Sequence, residues 1–390
     1  MTQNAETPHP LIPALLAALF LAFSPPLSAQ AATAGTAKID AIVNAAGNGF
    51  LRTHPRTIGI SLGLIFQGQS YRYNFGALAH NTQARATADT IYPIASITKT
   101  FTAALLAQAT LDGKLQLTDD VRKYLDGDYP NLAFNGHAIR LFDLLDHRSG
   151  LPFFLPDRPE AQPDFNGNAI PFQTRLATLR RNYTTSDFYR DLHKVTLTAV
   201  PGTEPPHYSN AGAELAGDIE EKIYATPFDT LLHQKVLTPL GMTSTCMAPA
   251  CPQAGASPEA YDHAGNRLPD NTAPLGPAGA MRSNVNDLLK YLSWQHDETN
   301  PIVKLSHMPY ITLGAYSVGL NWQMWTTNGQ HLIWQSGNVP GFGSLCVEER
   351  EPAIELVILM NGTDDATTDS KDDLANQILK QLDSSAIPLP

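Results

Sequence analysis

The chain predicts a mixed fold, α/β in the broad sense and α+β in detail: a mainly antiparallel sheet flanked by helices, with an all-helical lobe inserted into it. Three observations carry this. β-like runs lie near both ends of the chain, the middle reads mostly as helix, and one strongly apolar helical stretch, Tyr92 to Leu106, joins the first β part to the helical part. Strands from the two ends then pair across the insertion. A cleft is expected at the seam of the two lobes, where sites commonly form.

Taken in order, Ala37 to Phe50 carries Ile39, Ile42, Val43, Ala46 and Phe50 at helical spacing. Thr57 to Phe66 is β-rich, Gln67-Gly68 reads as a turn, and Ser70 to Phe75 alternates with aromatics, so a hairpin follows the helix. The helix that begins near Ser96 stops at Leu111-Asp112-Gly113. Leu117 to Leu125 and Ile139 to Leu145 read as short helices, and a Pro- and Gly-rich loop spans about Pro152 to Pro171. Helical patterns return at Leu176 to Arg181, Ser186 to Leu192, Ala211 to Ile223 and Pro227 to Leu237. After an irregular stretch from Leu268 to Met281, Ser283 to Trp294 reads as a capped helix. Four β-like runs follow, Tyr316 to Trp325, Gln330 to Gln335, Phe342 to Glu348 and Ala353 to Met360, and Lys371 to Leu382 closes as a helix. The expected division is a leader and short linker over 1–34 and one domain over 35–390. Its α/β lobe is built from 35–115 and 275–390, and its helical lobe from 116–274.

Composition bounds the function. The 390 residues are 43% hydrophobic and 16% charged, enough apolar content for a large core. A formal net charge of −11, with no basic run, argues against a nucleic-acid partner. Leu11 to Phe23 is an apolar run too short to span a bilayer comfortably but suited to the core of a secretory signal, with cleavage near Ala29 to Ala31. Met1 to Pro10 holds no Lys or Arg and includes Glu6, so an uncleaved anchor and peripheral membrane association stay open; the expected location is periplasmic or secreted. Cys246 and Cys251 flank a short Met-Ala-Pro-Ala loop that a disulfide could close in an oxidising compartment, whereas Cys346 reads as a buried thiol. The Cys pair lacks metal-site spacing and no His-Glu-x-x-His occurs, so no metal is expected.

The chemistry concentrates in three places. Ser96 and Lys99 stand three apart on one helix face, a nucleophile beside a base, near a helix N-terminus whose unpaired N–H groups suit an oxyanion. The lysine can act as base only if burial or a neighbouring cation lowers its pKa. Such an S-x-x-K pair arises by chance roughly once in a chain this long, so it needs company. Tyr208-Ser209-Asn210 stands just before a helix, with Tyr208 expected to have its pKa lowered by Lys99 so that it can relay a proton. Trp334-Gln335-Ser336-Gly337-Asn338 ends a β run, and its edge could pair with an extended substrate and offer an N–H to the oxyanion. One match misleads: Gly59-Ile60-Ser61-Leu62-Gly63 fits G-x-S-x-G, but the apolar run continues into a hairpin instead of a helix, making Ser61 a mid-strand residue.

Together the three places resemble the motif set of the serine β-lactamase and penicillin-binding protein superfamily: S-x-x-K, then S-D-N or Y-x-N, then K-T-G or a variant. L-L-D-H-R-S-G-L-P at Leu144 to Pro152, P-L-G-M at Pro239 to Met242 and P-A-G-A-M-R-S at Pro277 to Ser283 add to the likeness, which covers about Ala37 to Ser384. Tyr208 in place of a serine is similar to the class C branch, which includes D-alanyl-D-alanine carboxypeptidases and endopeptidases as well as esterases. The resemblance implies Ser96 as the acylated nucleophile, Lys99 assisting proton removal, and Tyr208 as base or relay in acylation and deacylation. It implies that Asn210 holds Lys99 and a substrate amide, that the N–H groups of Ser96 and Asn338 form the oxyanion hole, and that Gln335, Ser336 and Gly337 bind substrate. Gln335 departs from the pattern, since Lys or His usually stands there; a cation would grip a substrate carboxylate, and an amide supplies only hydrogen bonds. The implied substrates are peptidoglycan peptides, with β-lactams and small esters or amides as alternatives. A penicillin-recognising sensor without turnover is the rival of another class, and the intact Ser96, Lys99, Tyr208 and Asn210 speak against it.

Overall fold

The computed structural model describes Met1 and residues 27–158, 178–180, 182–251, 257–262, 264–268, 276–363 and 370–390. The apolar run Leu11 to Phe23, most of the loop after Pro152 and most of the irregular stretch before Met281 lie outside the described residues. The chain clusters into two compact units, Met1–Ala41 and Ile42–Pro390. In the first, the backbone from Leu27 onward is the opening part of helix α1 (Leu27–Thr53); everything below concerns the second.

Strand β1 (Thr57–Phe66) turns at Gln67-Gly68 into β2 (Gln69–Gly76), as the sequence predicts. β3 (Tyr92–Pro93), β6 (Cys246–Met247) and β7 (Met281–Ser283) make a small second sheet in the order β3-β7-β6, and β4 (Ala133–Phe134) and β5 (His137–Ala138) pair alone. Near the C-terminus β8 (Ile311–Leu313), β9 (Tyr316–Val318), β10 (Gln323–Thr327), β11 (Gln330–Val339), β12 (Phe342–Glu349) and β13 (Ile354–Gly362) run antiparallel in succession. The eight-stranded sheet has the order β2-β1-β13-β12-β11-β10-β9-β8, so the N-terminal hairpin adds to the last strand made. Leu62 lies opposite Ile358 in that joint.

Both faces of the central strands are covered, which is why β12 and β13 are buried along their whole length. Gly63, Val357 and Leu359 face helix α6 (Val285–Gln295), where Val285 and Leu289 leave no room for a side chain at Gly63. On the other face, beneath Leu62, Ile358 and Leu356, packs α8 (Ser370–Leu382). The remaining helices are α2 (Thr98–Leu111), α3 (Thr185–Leu192), α4 (Asn210–Tyr224), α5 (Phe228–Leu232) and α7 (Pro301–Ser306). α2 is shared between two cores: Ala103, Leu106 and Ala107 pack with α4 and residues 115–155, while Phe101, Ala104 and Leu105 pack with α6 and the sheet. A helix apolar on every side belongs in such a seam.

Three readings need correction. Leu117 to Leu125 and Ile139 to Leu145 are not helices; each holds one 3₁₀ turn, Val121–Tyr124 and Phe142–Leu144. The Asp120 and Asp143 carboxylates accept the backbone N–H groups of Arg122 and Arg140, and a bridge between Asp120 and Arg140 competes with helix formation. Tyr316 to Trp325 is not one strand: it folds back between β9 and β10, with Asn321 at φ +59°. Asparagine tolerates that left-handed conformation better than most residues, and here it turns the chain without a glycine at the position.

Candidate active site

Ser96 sits in a 3₁₀ turn, Ala95–Ile97, that runs directly into α2. Ala95, the residue before it, is held at φ +48°, a strained setting for a side chain with a Cβ and one that clusters at functional sites. The Ile94 N–H donates to the Met281 carbonyl and the Ser344 hydroxyl donates to the Ile94 carbonyl, so the turn is pinned from both sides.

One helical step on, Lys99 is fully buried and reaches back to Ser96. Its Nζ stands 3.1 Å from Ser96 Oγ and donates to the Ala278 carbonyl at 2.6 Å. Burial pulls its pKa down to about 7, against a smaller upward pull from Glu214. Across the cleft the Tyr208 hydroxyl donates to Ser96 Oγ at 2.6 Å, and the Lys99 amine lies 4.9 Å from the centre of the Tyr208 ring. Here the expectation fails: burial raises the phenol's pKa above its ordinary value, so Tyr208 is a protonated donor at neutral pH. The expected downward pull of Lys99 does not appear: burial dominates, opposed by the hydrogen bond to Ser96.

Asn210 begins α4, its N–H donating to the Phe153 carbonyl, with Ser209 as the N-cap. The Asn210 amide does not touch Lys99, whose partners are Ser96 and Ala278; among the described residues it makes no side-chain hydrogen bond. Glu214, one turn further along α4, is buried, paired at 2.7 Å with the buried Arg180, and has its pKa raised by burial.

The third stretch forms the wall beside the serine. A Cβ on Gly337 would fall 2.3 Å from the Ile94 carbonyl and 2.9 Å from Ser96 N, so only glycine lets β11 close on the turn. β10 pairs only as far as Trp334, which leaves the edge of β11 open from there on. Val339 and Phe342 face each other across a two-residue turn, and the alternation of ladder bonds directs the Asn338 N–H away from β12, toward that open edge. Ser336 is half-buried, with no side-chain hydrogen bond among the described residues. Gln335 does not face substrate: it is buried, its Nε2 donates to the Asn321 carbonyl at 2.6 Å, and its Oε1 accepts the Ser336 N–H at 2.9 Å. A side chain on a strand points opposite to its neighbours, and position 335 points inward.

Ser61 is mid-strand and fully buried, donating to the Thr87 carbonyl with its Oγ 3.1 Å from the Tyr92 hydroxyl. Cys246 and Cys251 are joined in a disulfide, and Cys346 is a buried free thiol. Among the described residues no group of three or more His, Cys, Asp or Glu side chains could hold a metal. Sequence reasoning missed Ala278, whose carbonyl holds the lysine, and it missed His147 and Asn321 behind Tyr208. Only the quoted P-A-G-A-M-R-S and L-L-D-H-R-S-G-L-P contexts signalled the neighbourhood of the first two.

Comparison with known proteins identifies the family and the fold. The β-lactamase family model matches residues 40–380. A β-lactamase of Lysobacter lactamgenus is 23% identical, over 94% of this chain and 97% of its own. The D-alanyl-D-alanine-carboxypeptidase/endopeptidase AmpH of Escherichia coli is 24% identical over 80% of this chain and 84% of its own. The crystal structure of a β-lactamase/D-alanine carboxypeptidase from Pseudomonas syringae superposes with a TM-score of 0.73 at 20% identity, covering 90% of this chain and 99% of the other. With the family model spanning most of the chain and the fold shared, this protein belongs to the β-lactamase family of serine hydrolases.

Proposed function

We propose that the chain is an exported hydrolase that cleaves D-alanyl peptide bonds in peptidoglycan stem peptides through a Ser96 ester, and that β-lactams acylate the same serine. The observation that carries this is the sharing of Ser96 Oγ between the Lys99 amine and the Tyr208 phenol. Neutral Lys99 takes the hydroxyl proton as Oγ attacks the carbonyl carbon. The N–H groups of Ser96 and Asn338 receive the oxyanion. When the C–N bond breaks, Tyr208 protonates the departing amine and recovers a proton that Lys99 gave up. Water then attacks the ester with the same groups in reverse. Asn210, whose amide makes no side-chain hydrogen bond among the described residues, and Ser336 hold the substrate's amide groups. The AmpH relative and the Leu11 to Phe23 run support the substrate and the export, and a disulfide fits an oxidising compartment.

Incubation with a fluorescent penicillin and intact-mass analysis is expected to add one acyl group on Ser96 and none on Ser96→Ala. Purified muropeptides should lose D-alanine. If no β-lactam or activated ester labels Ser96, the reading is wrong.

A second reading, an esterase or amidase for substrates without a terminal carboxylate, is favoured by one observation: the motif position where a cation would stand is the inward-turned Gln335. Relative rates on nitrocefin, a p-nitrophenyl ester and muropeptides separate the two. Fast ester turnover with untouched muropeptides selects the second.

A further inference from the structure

Behind Tyr208, on the side away from Ser96, lies a buried polar chain that the hydrolytic steps do not use. His147 touches the tyrosine's segment at three places. Its carbonyl accepts the His207 N–H at 2.7 Å, its Nδ1 accepts the Ser209 N–H at 3.3 Å, and its ring lies 4.3 Å from the Tyr208 ring. The residues on both sides of the catalytic tyrosine are therefore tied to one histidine. That histidine is itself buried and at φ +63°.

The ring is fixed in turn. His147 Nε2 is 2.9 Å from Asn321 Oδ1, the Asn321 N–H donates to the Leu145 carbonyl, and the Asn321 carbonyl accepts Gln335 Nε2. The Ser209 N–H requires a lone pair on Nδ1, so the neutral ring carries its proton on Nε2 and Asn321 must present its oxygen. A second proton would set Nδ1–H against the Ser209 N–H. Burial opposes that proton most, Lys99 and His207 add positive charge against it, and the hydrogen bond with Asn321 favours it, which leaves the pKa down at about 3. Asn321 and Tyr208 bring no formal charge at neutral pH.

We propose that His147 is a positioning residue for Tyr208, locked in one tautomer by Asn321, and that Gln335 is the strut holding Asn321 instead of a substrate contact. An apolar residue could fill the same volume, but it could neither accept the Ser209 N–H nor meet the Asn321 oxygen, and each would be left buried and unpaired. The hydrogen bond that aligns Tyr208 beside Ser96, from where it protonates the departing amine, spans 2.6 Å, a distance that tolerates little displacement. A neutral amide at 335 suits this arrangement, because it completes the chain without adding charge beside the imidazole.

The inference rests on Ser96 being the nucleophile, so wild-type labelling by a p-nitrophenyl ester comes first and tests that reading separately. Acylation rate and KM with a penicillin, whose departing nitrogen needs the proton, are then measured for His147→Leu, His147→Gln and Gln335→Leu, with circular dichroism to check folding. His147→Leu and Gln335→Leu should lower the acylation rate, by about 100-fold for the former, with KM nearly unchanged, the size expected of a small misplacement. His147→Gln, whose amide can still accept from Ser209 and donate to Asn321, should recover most of that loss. Asn321→Asp supplies the second measurement if the leucine variants do not fold: a carboxylate beside Nε2 raises the imidazole pKa, so acylation should gain a new fall on the acid side. A folded His147→Leu acylating at the wild-type rate, a loss lying wholly in KM, or an Asn321→Asp pH profile superimposable on the wild type's would each overturn the proposal.

Discussion

In the proposed mechanism Lys99 sets the working pH. Its ammonium form is disfavoured by burial, with the pKa near 7, and only the free amine can take the serine proton. The acylation rate should therefore rise with pH through about 7 and level off above it, which stopped-flow burst kinetics with an activated ester will show. Lys99→Arg, whose side chain stays protonated, should lose acylation by a factor of about 100 or more at every accessible pH. If the arginine variant acylates normally, another group is the base. Tyr208 contributes no limb near neutrality because burial keeps its proton on. Ser96, Lys99 and Tyr208 were legible in the sequence since each is a chemically distinctive side chain in a short spaced motif. Ala278 was not, because what it supplies is a backbone carbonyl, and any residue type carries one. The pKa direction of Tyr208 was misjudged for a related reason: burial is a property of the whole packing, invisible in a tripeptide.

At the scale of elements, the close approach of β11 to the 3₁₀ turn is what brings together the two N–H groups proposed to receive the oxyanion. Gly337→Ala tests this contact, since its Cβ would collide with the Ile94 carbonyl and force strand and turn apart. The expected result is a loss of about 100-fold or more in kcat, the size of removing one oxyanion donor. Penicillin acylation kinetics measure it, and circular dichroism shows whether the fold is kept. A second element-scale prediction concerns α6. Asn284 caps it by accepting the Asp287 N–H, and Asn284→Ala should cost about 1 kcal/mol in a denaturant titration. The long strands and capped helices were readable from periodicity and caps, as β1, β12, β13, α4 and α8 show. Short segments were not. The two 3₁₀ turns and the reversal at Asn321 are decided by single side-chain hydrogen bonds and by packing against distant residues, which a local pattern does not record.

For the molecule as a whole, the distribution of buried acids predicts its response to pH. Burial raises Asp146 to about 6 and Asp218 and Glu349 to about 7, and it also raises Glu214, Glu220 and Glu355. Between roughly pH 4.5 and 7 the folded chain then holds protons that the unfolded chain has released, so stability falls as pH rises. His147 works the other way over the same window, whereas His296, raised by its hydrogen bond to Glu348, adds to the fall. Above 7 the depressed Lys99 returns part of the loss, since there the unfolded state binds the extra proton. Calorimetry should find a higher Tm near pH 5 than near pH 7; the reverse order would show that these acids are ionised in the native state.

The pairing of β1 with β13 has a further consequence for how the enzyme comes into being. The first hairpin pairs with a strand that follows the whole helical part in sequence, and Gly337, the neighbour against which the serine's turn rests, comes only shortly before that strand. Ser96 therefore has no wall beside it until stretches far apart in the sequence have met, and a chain cut before β11 should carry the serine without labelling by an activated ester.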